Sequence, residues 1–283
     1  MKAFRTYLIA GLLAAVGAPA QAKDQEPVDA GPYVPSPQSV VSDMLKLAEV
    51  GPKDFVIDLG SGDGRIVLTA AKVFGASGFG VEIKDNLVKE SNDAAKLQGV
   101  ADRVKFITQD LFKTDISKAT VLTMYLLPHT VNMLKDKLLT ELRPGTRILS
   151  HDYPLAGWIP EKYVQMDLED KVAISGVTTT LIYLYVVPAK VQGSWSAMLP
   201  PGLSKDPVRL ELKQQITRVS GSARIRGKDL LLEEAKLRGE RLVFRVLSGG
   251  RNYEFTGMVK SGVIEGTVEG AGTKAPWSAA TAK

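Results

Sequence analysis

A short apolar run, Phe55-Val56-Ile57-Asp58-Leu59, passes without a spacer into Gly60-Ser61-Gly62-Asp63-Gly64. A helical pattern with Ile66, Val67, Ala70, Ala71 and Val73 follows at once. A run this apolar fits a strand covered on both faces, as in a parallel sheet. Glycines without a Cβ allow tight turning and close approach of the backbone to a ligand. Strand, glycine loop and helix in that order open a doubly wound α/β domain. Upstream, Val40, Val41, Met44, Leu45 and Ala48 predict an amphipathic helix, with Ser36 as its N-cap and Pro37 in the first turn.

The loop departs from the dinucleotide-binding pattern Gly-x-Gly-x-x-Gly. The third glycine comes one residue early, and Arg65 stands in its place. Asp58 lies two residues before the first glycine. A carboxylate there would repel a pyrophosphate but suits a cofactor with an ammonium or sulfonium group, so S-adenosylmethionine (SAM) is expected rather than NAD. Gly60, Ser61 and Gly62 would lie against it. The next strand, 78–81, ends at Glu82, whose carboxylate can accept from both ribose hydroxyls. A third strand, 103–107, leads to Gln109-Asp110-Leu111. Asp110 can accept from the adenine amino group, with Leu111 among the apolar neighbours that sandwich the ring. Singly, Gly-x-Gly is an ordinary turn, Glu82 an exposed acid and Asp110 a loop residue. Together they occupy consecutive strand ends, where open α/β sheets bind ligands.

A fourth strand, 120–124, runs into Tyr125-Leu126-Leu127-Pro128-His129. Pro128 should open a helix with Val131, Leu134, Leu138 and Leu139 inward, stopped by Pro144-Gly145. A fifth strand, 146–149, leads to Ser150-His151-Asp152-Tyr153. Methyl transfer from a sulfonium is an in-line displacement governed by positioning. A protonated acceptor must first lose its proton, which desolvation or a base can promote. Tyr125, His129, His151, Asp152 and Tyr153 are therefore the catalytic candidates. The plainer alternative has His129 capping its helix and His151 and Asp152 shaping a loop. Segments 163–168 and 177–187 supply two further strands, with Thr178, Thr180, Ile182, Leu184 and Val186 on one face.

Asp58 to Gly64 resemble the first motif of the class I SAM-dependent methyltransferases, and the resemblance covers residues 31–188. More narrowly, Tyr33-Val34-Pro35-Ser36-Pro37 followed by Asp58 to Val67 resembles the protein-lysine methyltransferases that include the enzyme of the mitochondrial ATP synthase c subunit. Tyr125-Leu126-Leu127-Pro128 and Ser150-His151-Asp152-Tyr153 are similar to stretches of bacterial methyltransferases. The resemblance implies a seven-stranded Rossmann-like sheet, SAM as cofactor, and Tyr33 with its neighbours closing over it from the N-terminal side. It also implies a protein lysine as methyl acceptor. An envelope protein that keeps the fold and binds the cofactor without turnover is the alternative.

Composition excludes several other chemistries. Hydrophobic residues make up 45% and charged residues 24% of the 283, which excludes global disorder. Absence of cysteine removes disulfide frameworks, thiolate zinc sites and Cys nucleophiles, and with two histidines no metal site is expected. Residues 1–22 have a basic start (Lys2, Arg5), an apolar run over 7–16 and Ala20-Gln21-Ala22. They predict a signal peptide cleaved after Ala22 and a periplasmic or secreted protein. The apolar run is about half the ~20 residues that span a bilayer, and an uncleaved membrane tether is the alternative.

Charge divides the rest. Residues 23–188 carry 18 basic and 22 acidic side chains, and residues 189–283 carry 16 and 9. A methyltransferase domain over 23–188 and a basic all-β domain over 189–283 are expected. In the latter Val208, Leu210, Leu212 and Gln214 alternate with charged residues, and further strands are predicted at 222–226, 229–236, 241–247, 253–259 and 262–268. The expectation is an antiparallel meander or small barrel closed near Trp195 and Trp277. Its excess of basic residues suits association with the envelope, though a solvated sheet face accounts for it more simply. Aromatic residues are not interleaved with the basic ones, so nucleic acid is not the favoured partner; a protein substrate is.

Overall fold

In a computed structural model describing residues 31–172 and 176–282, the apolar run forms β1 (Phe55–Leu59), buried at Val56, Ile57, Asp58 and Leu59. The expected signal peptide and its cleavage point lie outside the described residues. Six more strands join the sheet: β2 (Ser77–Glu82), β3 (Val104–Thr108), β4 (Val121–Met124), β5 (Arg147–His151), β6 (Lys162–Asp167) and β7 (Thr179–Val186). Their order is β3-β2-β1-β4-β5-β7-β6. The first five are parallel, whereas β7 runs antiparallel to β5 and β6. This is the seven-stranded class I methyltransferase sheet that the sequence predicts. Strand order reverses between β1 and β4, so the carboxyl ends there frame a crevice.

Helices cover both faces: α1 (Gln38–Leu47), α2 (Arg65–Phe74), α3 (Asp85–Leu97), α4 (Pro128–Met133) and α5 (Lys135–Glu141). Val40, Val41, Met44 and Leu45 of α1 pack with α2 on one side, while Val131, Leu134 and Leu138 pack on the other. Two expectations shift. The helix opened by Pro128 breaks at Leu134 into α4 and α5. Pro37, not Ser36, occupies the N-cap of α1, because the Ser36 hydroxyl is drawn to a buried histidine instead.

The second unit is all β: β8 (Gly193–Met198), β9 (Val208–Gln215), β10 (Arg218–Ile225), β11 (Lys228–Leu231), β12 (Glu233–Arg238), β13 (Arg241–Ser248), β14 (Arg251–Lys260), β15 (Val263–Gly270) and β16 (Thr273–Thr281). Eight of them form a closed antiparallel barrel, with β8 joining β9 to β16 and β10 joining β9 to β12. β11 extends the β10–β12 seam by pairing with the outer half of β10. Closure leaves few free edges. Buried and exposed positions alternate along β13, as a sheet with one face inward requires. Phe244 and Phe255 stack across β13 and β14 with ring centres 4.8 Å apart, and Trp277 stands edge-on to both.

The barrel abuts the amino-terminal end of β5. Ala189 N–H donates to Gly239 O at 2.8 Å, and a Cβ on Gly239 would lie 3.2 Å from Gly145 Cα. Arg238 pairs with Glu161 at 3.0 Å, just before β6. The crevice lies at the opposite end of the strands. Among the described residues no helix is long and apolar enough to cross a membrane.

Candidate active site

After β1 the chain must turn back under the end of β2. Gly60 and Ser61 N–H groups both donate to Val81 O, at 2.9 and 2.8 Å. The turn requires φ of +75° at Gly60 and +53° at Gly62, values that side-chain-bearing residues rarely adopt. Space is short as well. A Cβ on Gly60 would meet Leu126 at 2.7 Å, and one on Gly62 would meet the Tyr33 ring at 2.4 Å. Gly62→Ala should therefore cost about 1–2 kcal/mol of stability through its positive φ. It should also push Tyr33 off the loop and weaken cofactor binding. A thermal melt and calorimetry with S-adenosylhomocysteine check both, and unchanged affinity would mean that Tyr33 does not cover the cofactor.

Tyr33 belongs to a strap, 31–36, that crosses the glycine loop. Arg65 fastens it: its Nη1 donates to Ser36 O at 2.8 Å, and its Nε donates to Asp63 Oδ1 at 2.9 Å and Oδ2 at 3.0 Å. Burial and the adjoining Asp63 carboxylate both raise the Tyr33 hydroxyl, which stays neutral. Burial would raise Asp63 too, but Arg65 outweighs it and holds Asp63 below its ordinary value. The sequence reading passed over this clasp, although Arg65 where a dinucleotide loop would carry glycine was its signal.

Strap and loop border a cleft at the carboxyl ends of the parallel strands, the place where open α/β sheets bind ligands. Tyr33, Asp58, Gly60, Ser61, Gly62, Glu82, Asp110, Leu111 and Tyr125 all line it. Asp58 is 2% exposed, and the one hydrogen bond to its carboxylate among the described residues comes from Thr123 Oγ1 at 2.7 Å. Burial pushes its carboxyl up to about 7; the Thr123 bond opposes this, while Glu82 and Asp63 add to it. Glu82 accepts from the backbone N–H groups of Gly62, Ile83 and Lys84 at 2.9–3.1 Å. That fixes it at the end of β2 with about one of its four lone pairs to spare. Asp110 Oδ1 accepts from Phe112 N–H at 2.8 Å. Ser61 Oγ is buried without a hydrogen-bond partner among the described residues. A glycine cradle, a buried hydroxyl and a nearly unpartnered buried acid fit SAM, whose ammonium group would relieve Asp58.

Behind Tyr125, which lines the cleft, His151 and Asp152 come together with it. His151 is fully buried and its ring lies 3.9 Å from that of Tyr125. Its Nδ1 meets Ser36 Oγ at 2.9 Å and its Nε2 meets Thr180 Oγ1 at 2.7 Å. Burial pulls the imidazole down to about 4 despite Asp152, so it is neutral at pH 7. Tyr125 O–H donates to Asp152 Oδ2 at 3.2 Å; burial and Asp152 hold the phenol neutral. Tyr153 is half-buried, close enough to help raise Tyr125. His129 lies apart, exposed on the first turn of α4 and outside the cleft lining. Ser36 reads from sequence as an N-cap and Thr180 as a strand residue, and Thr123 and Lys171 carry no signal, because the partners of all four lie on other elements.

Comparison with known proteins places this geometry among methyltransferases. The family model for the ANTKMT methyltransferase domain matches residues 58–162. A protein-lysine N-methyltransferase of Saccharolobus islandicus is 43% identical over 157 residues, 55% of this chain and 93% of the relative. The lysine N-methyltransferase of the ATP synthase c subunit of Xenopus laevis is 35% identical over 130 residues, 46% of this chain and 57% of the relative. The adenine nucleotide translocase lysine N-methyltransferase of Mus musculus is 33% identical over 156 residues, covering 55% and 63%. The chain thus spans nearly all of the archaeal relative but under two thirds of these animal ones. Among solved structures, an RNA methyltransferase of Salinibacter ruber in complex with S-adenosylhomocysteine shares 45% identity. The match covers 56% of this chain and 96% of that one, with a TM-score of 0.50.

Proposed function

From the premise that the chain belongs to the ANTKMT family of SAM-dependent methyltransferases, we propose that it methylates the side-chain amine of a protein lysine. The observation that carries this is the cleft in which Asp58, Glu82 and Asp110 converge from three consecutive strand ends beside Tyr125. Bound SAM supplies a methyl group on a positively charged sulfur. Asp58 would hold the cofactor's ammonium, Glu82 its ribose and Asp110 its adenine, while Gly60, Ser61 and Gly62 approach it with backbone, Leu111 packs on the ring and Tyr33 covers it.

An RNA acceptor, suggested by the name of the Salinibacter relative, has less support. RNA binding draws on basic surface, whereas residues 23–188 carry 18 basic against 22 acidic side chains. A cationic lysine meets no such repulsion. The test is transfer of labelled methyl from SAM into an envelope extract, followed by hydrolysis. Label should be recovered as methyllysine, and label in nucleosides or in no product would overturn the proposal.

The basic start, apolar run and Ala20-Gln21-Ala22 support export, with the mature protein beginning at Lys23 in the periplasm or outside the cell. Mass determination of the N-terminus decides it, and an intact Met1 in the cytosol would reject export. The barrel would then serve placement in the envelope. Its position at the far end of β5 keeps it from lining the cleft. Several of its basic residues are already spent on surface pairs, Arg224 with Asp229 and Arg245 with Glu234 and Glu254, so any envelope contact draws on the remainder.

A further inference from the structure

Asp152 follows β5 with φ of +62°, a conformation that persists in a non-glycine residue where its surroundings over-determine it. Its carboxylate is fully engaged. Oδ1 accepts from Leu181 N–H at 3.0 Å, Thr180 Oγ1 at 2.9 Å and Lys171 Nζ at 2.8 Å, and Oδ2 accepts from Tyr125 O–H at 3.2 Å and forms an ion pair with Lys171 Nζ at 2.7 Å. A carboxylate has about four lone pairs, so none is left to take a proton from a substrate.

The same bonds fix the tautomer of His151. Asp152 can only accept, so the single Thr180 hydroxyl proton points to it. Thr180 Oγ1 must then accept from His151 Nε2–H. Nδ1 is left bare and accepts from the Ser36 hydroxyl. A directed chain therefore runs from Ser36 on the cofactor strap through His151 and Thr180 to Asp152. Both ring nitrogens are occupied and the ring is fully buried, so His151 cannot serve as a base for substrate.

Two members of this network, Ser36 and Tyr125, line the cleft, and the Ser36 hydroxyl is already spent on His151; Tyr125 is the other. Its proton is committed to Asp152 and its ring is held against His151, which leaves the phenolic oxygen able to accept. Resting on the lysine reading above, we propose that Tyr125 orients the acceptor amine, and that Ser36, His151, Thr180 and Asp152 are positioning residues that tie its hydroxyl to the strap over the cofactor. The amine, its proton already lost to water, donates one N–H to the Tyr125 oxygen and turns its lone pair toward the methyl carbon. The N–C bond forms as the C–S bond breaks, giving a methylammonium and a neutral thioether.

The chain contains two histidines, so nitrogen NMR of the full chain labelled in histidine reads the relay directly, with His129→Gln to assign the rings. His151 should carry its proton on Nε2, with Nδ1 bare, and Ser36→Ala should move Nδ1 toward its unbonded position. A proton on Nδ1, or a charged ring at pH 7, would overturn the relay. For activity, labelled SAM and poly-L-lysine serve as probes. Tyr125→Phe keeps the ring and should lower kcat about 30-fold, with S-adenosylhomocysteine affinity within about twofold. Ser36→Ala should lower kcat about tenfold and Ser36→Thr restore it to within about threefold, while the Ser36→Ala, Tyr125→Phe double variant should match Tyr125→Phe within about twofold. Effects that multiply, or a Tyr125→Phe variant within about threefold of wild type, would overturn the positioning role. Wild-type protein that binds the cofactor yet labels no lysine would reject the lysine reading, and with it the role of Tyr125, while the NMR result still decides the relay.

Discussion

Asp58→Asn is expected to weaken binding of SAM and S-adenosylhomocysteine by about 30- to 150-fold while leaving the fold intact. The substitution preserves shape and the bond from Thr123 Oγ1, and removes only the charge. A hydrogen bond to a charged group contributes about 1.5–3 kcal/mol, and the buried setting places this one near the upper end. The pH dependence is the sharper test. Burial raises the Asp58 carboxyl from its ordinary 3.8 to about 7, with Glu82 and Asp63 pushing the same way against Thr123. Between those values the free folded protein holds a proton that the unfolded chain has released. Its contribution to stability is thus present at low pH and lost as the pH rises through about 7. A bound ammonium favours the ionised acid, so binding at pH 6 must expel that proton. Affinity should rise from pH 5 to pH 7 and level off above, and Asp58→Asn should flatten the curve. Calorimetry in buffers of different ionisation heat counts the proton, and none released at pH 6 would show that Asp58 does not hold the cofactor's cationic end.

Asp58, the loop glycines, Glu82 and Asp110 were legible because everything that makes them a set is local. Each stands in or just beyond the carboxyl end of a strand, and a parallel sheet aligns consecutive strand ends whatever the details of packing. Residues whose partners are remote were not legible. Ser36 precedes Pro37 and reads as an N-cap, yet its hydroxyl serves His151, 115 positions away. A buried acceptor without another donor outcompetes a helix terminus that water can satisfy. Lys171 registered only as one more basic residue, though it is 5% exposed against Asp152.

The same contrast holds in the barrel. β13 and β14 announce themselves by alternation. β8 is assembled from Gly193, Ser194, Trp195, Ser196, Ala197 and Met198, and β16 carries Pro276, so neither reads as a strand. Each becomes one by closing the ring: β16 has the length of β15 as a template, and β8 is then held between β16 and β9. Trp195 and Trp277, the residues that suggested closure, lie on these two strands. Their bulk marked an interior that the backbone pattern did not.

Lys171→Met should destabilise the protein by about 3 kcal/mol at pH 7, measured by urea unfolding. Lys171 Nζ lies 2.7 Å from Asp152 Oδ2 and 2.6 Å from Thr179 O, with side-chain exposures of 6% for Lys171 and 13% for Asp152. Methionine keeps the length of the stem but leaves the carboxylate without a cation, and removing one partner of a buried pair costs about 3–5 kcal/mol. Thr180, Leu181 N–H and Tyr125 still donate to Asp152, which argues for the lower end. The sign of the pH dependence follows from Asp152. Burial would raise its carboxyl, but His151, Lys171, Leu181 and Thr180 together hold it below the ordinary 3.8. The pair's contribution is therefore present above that ordinary value and lost as pH falls through the lower folded one. In Lys171→Met the acid is less depressed, protonates sooner and then stops needing a cation, so the deficit against wild type should shrink as the pH falls from 7. Adding Asp152→Asn should recover most of the loss, since asparagine tolerates the left-handed conformation at this position and a neutral pair leaves no buried charge. A deficit under about 1 kcal/mol at pH 7, or one that does not change with pH, would mean that water reaches Asp152 and that the network around Tyr125 is looser than its distances imply.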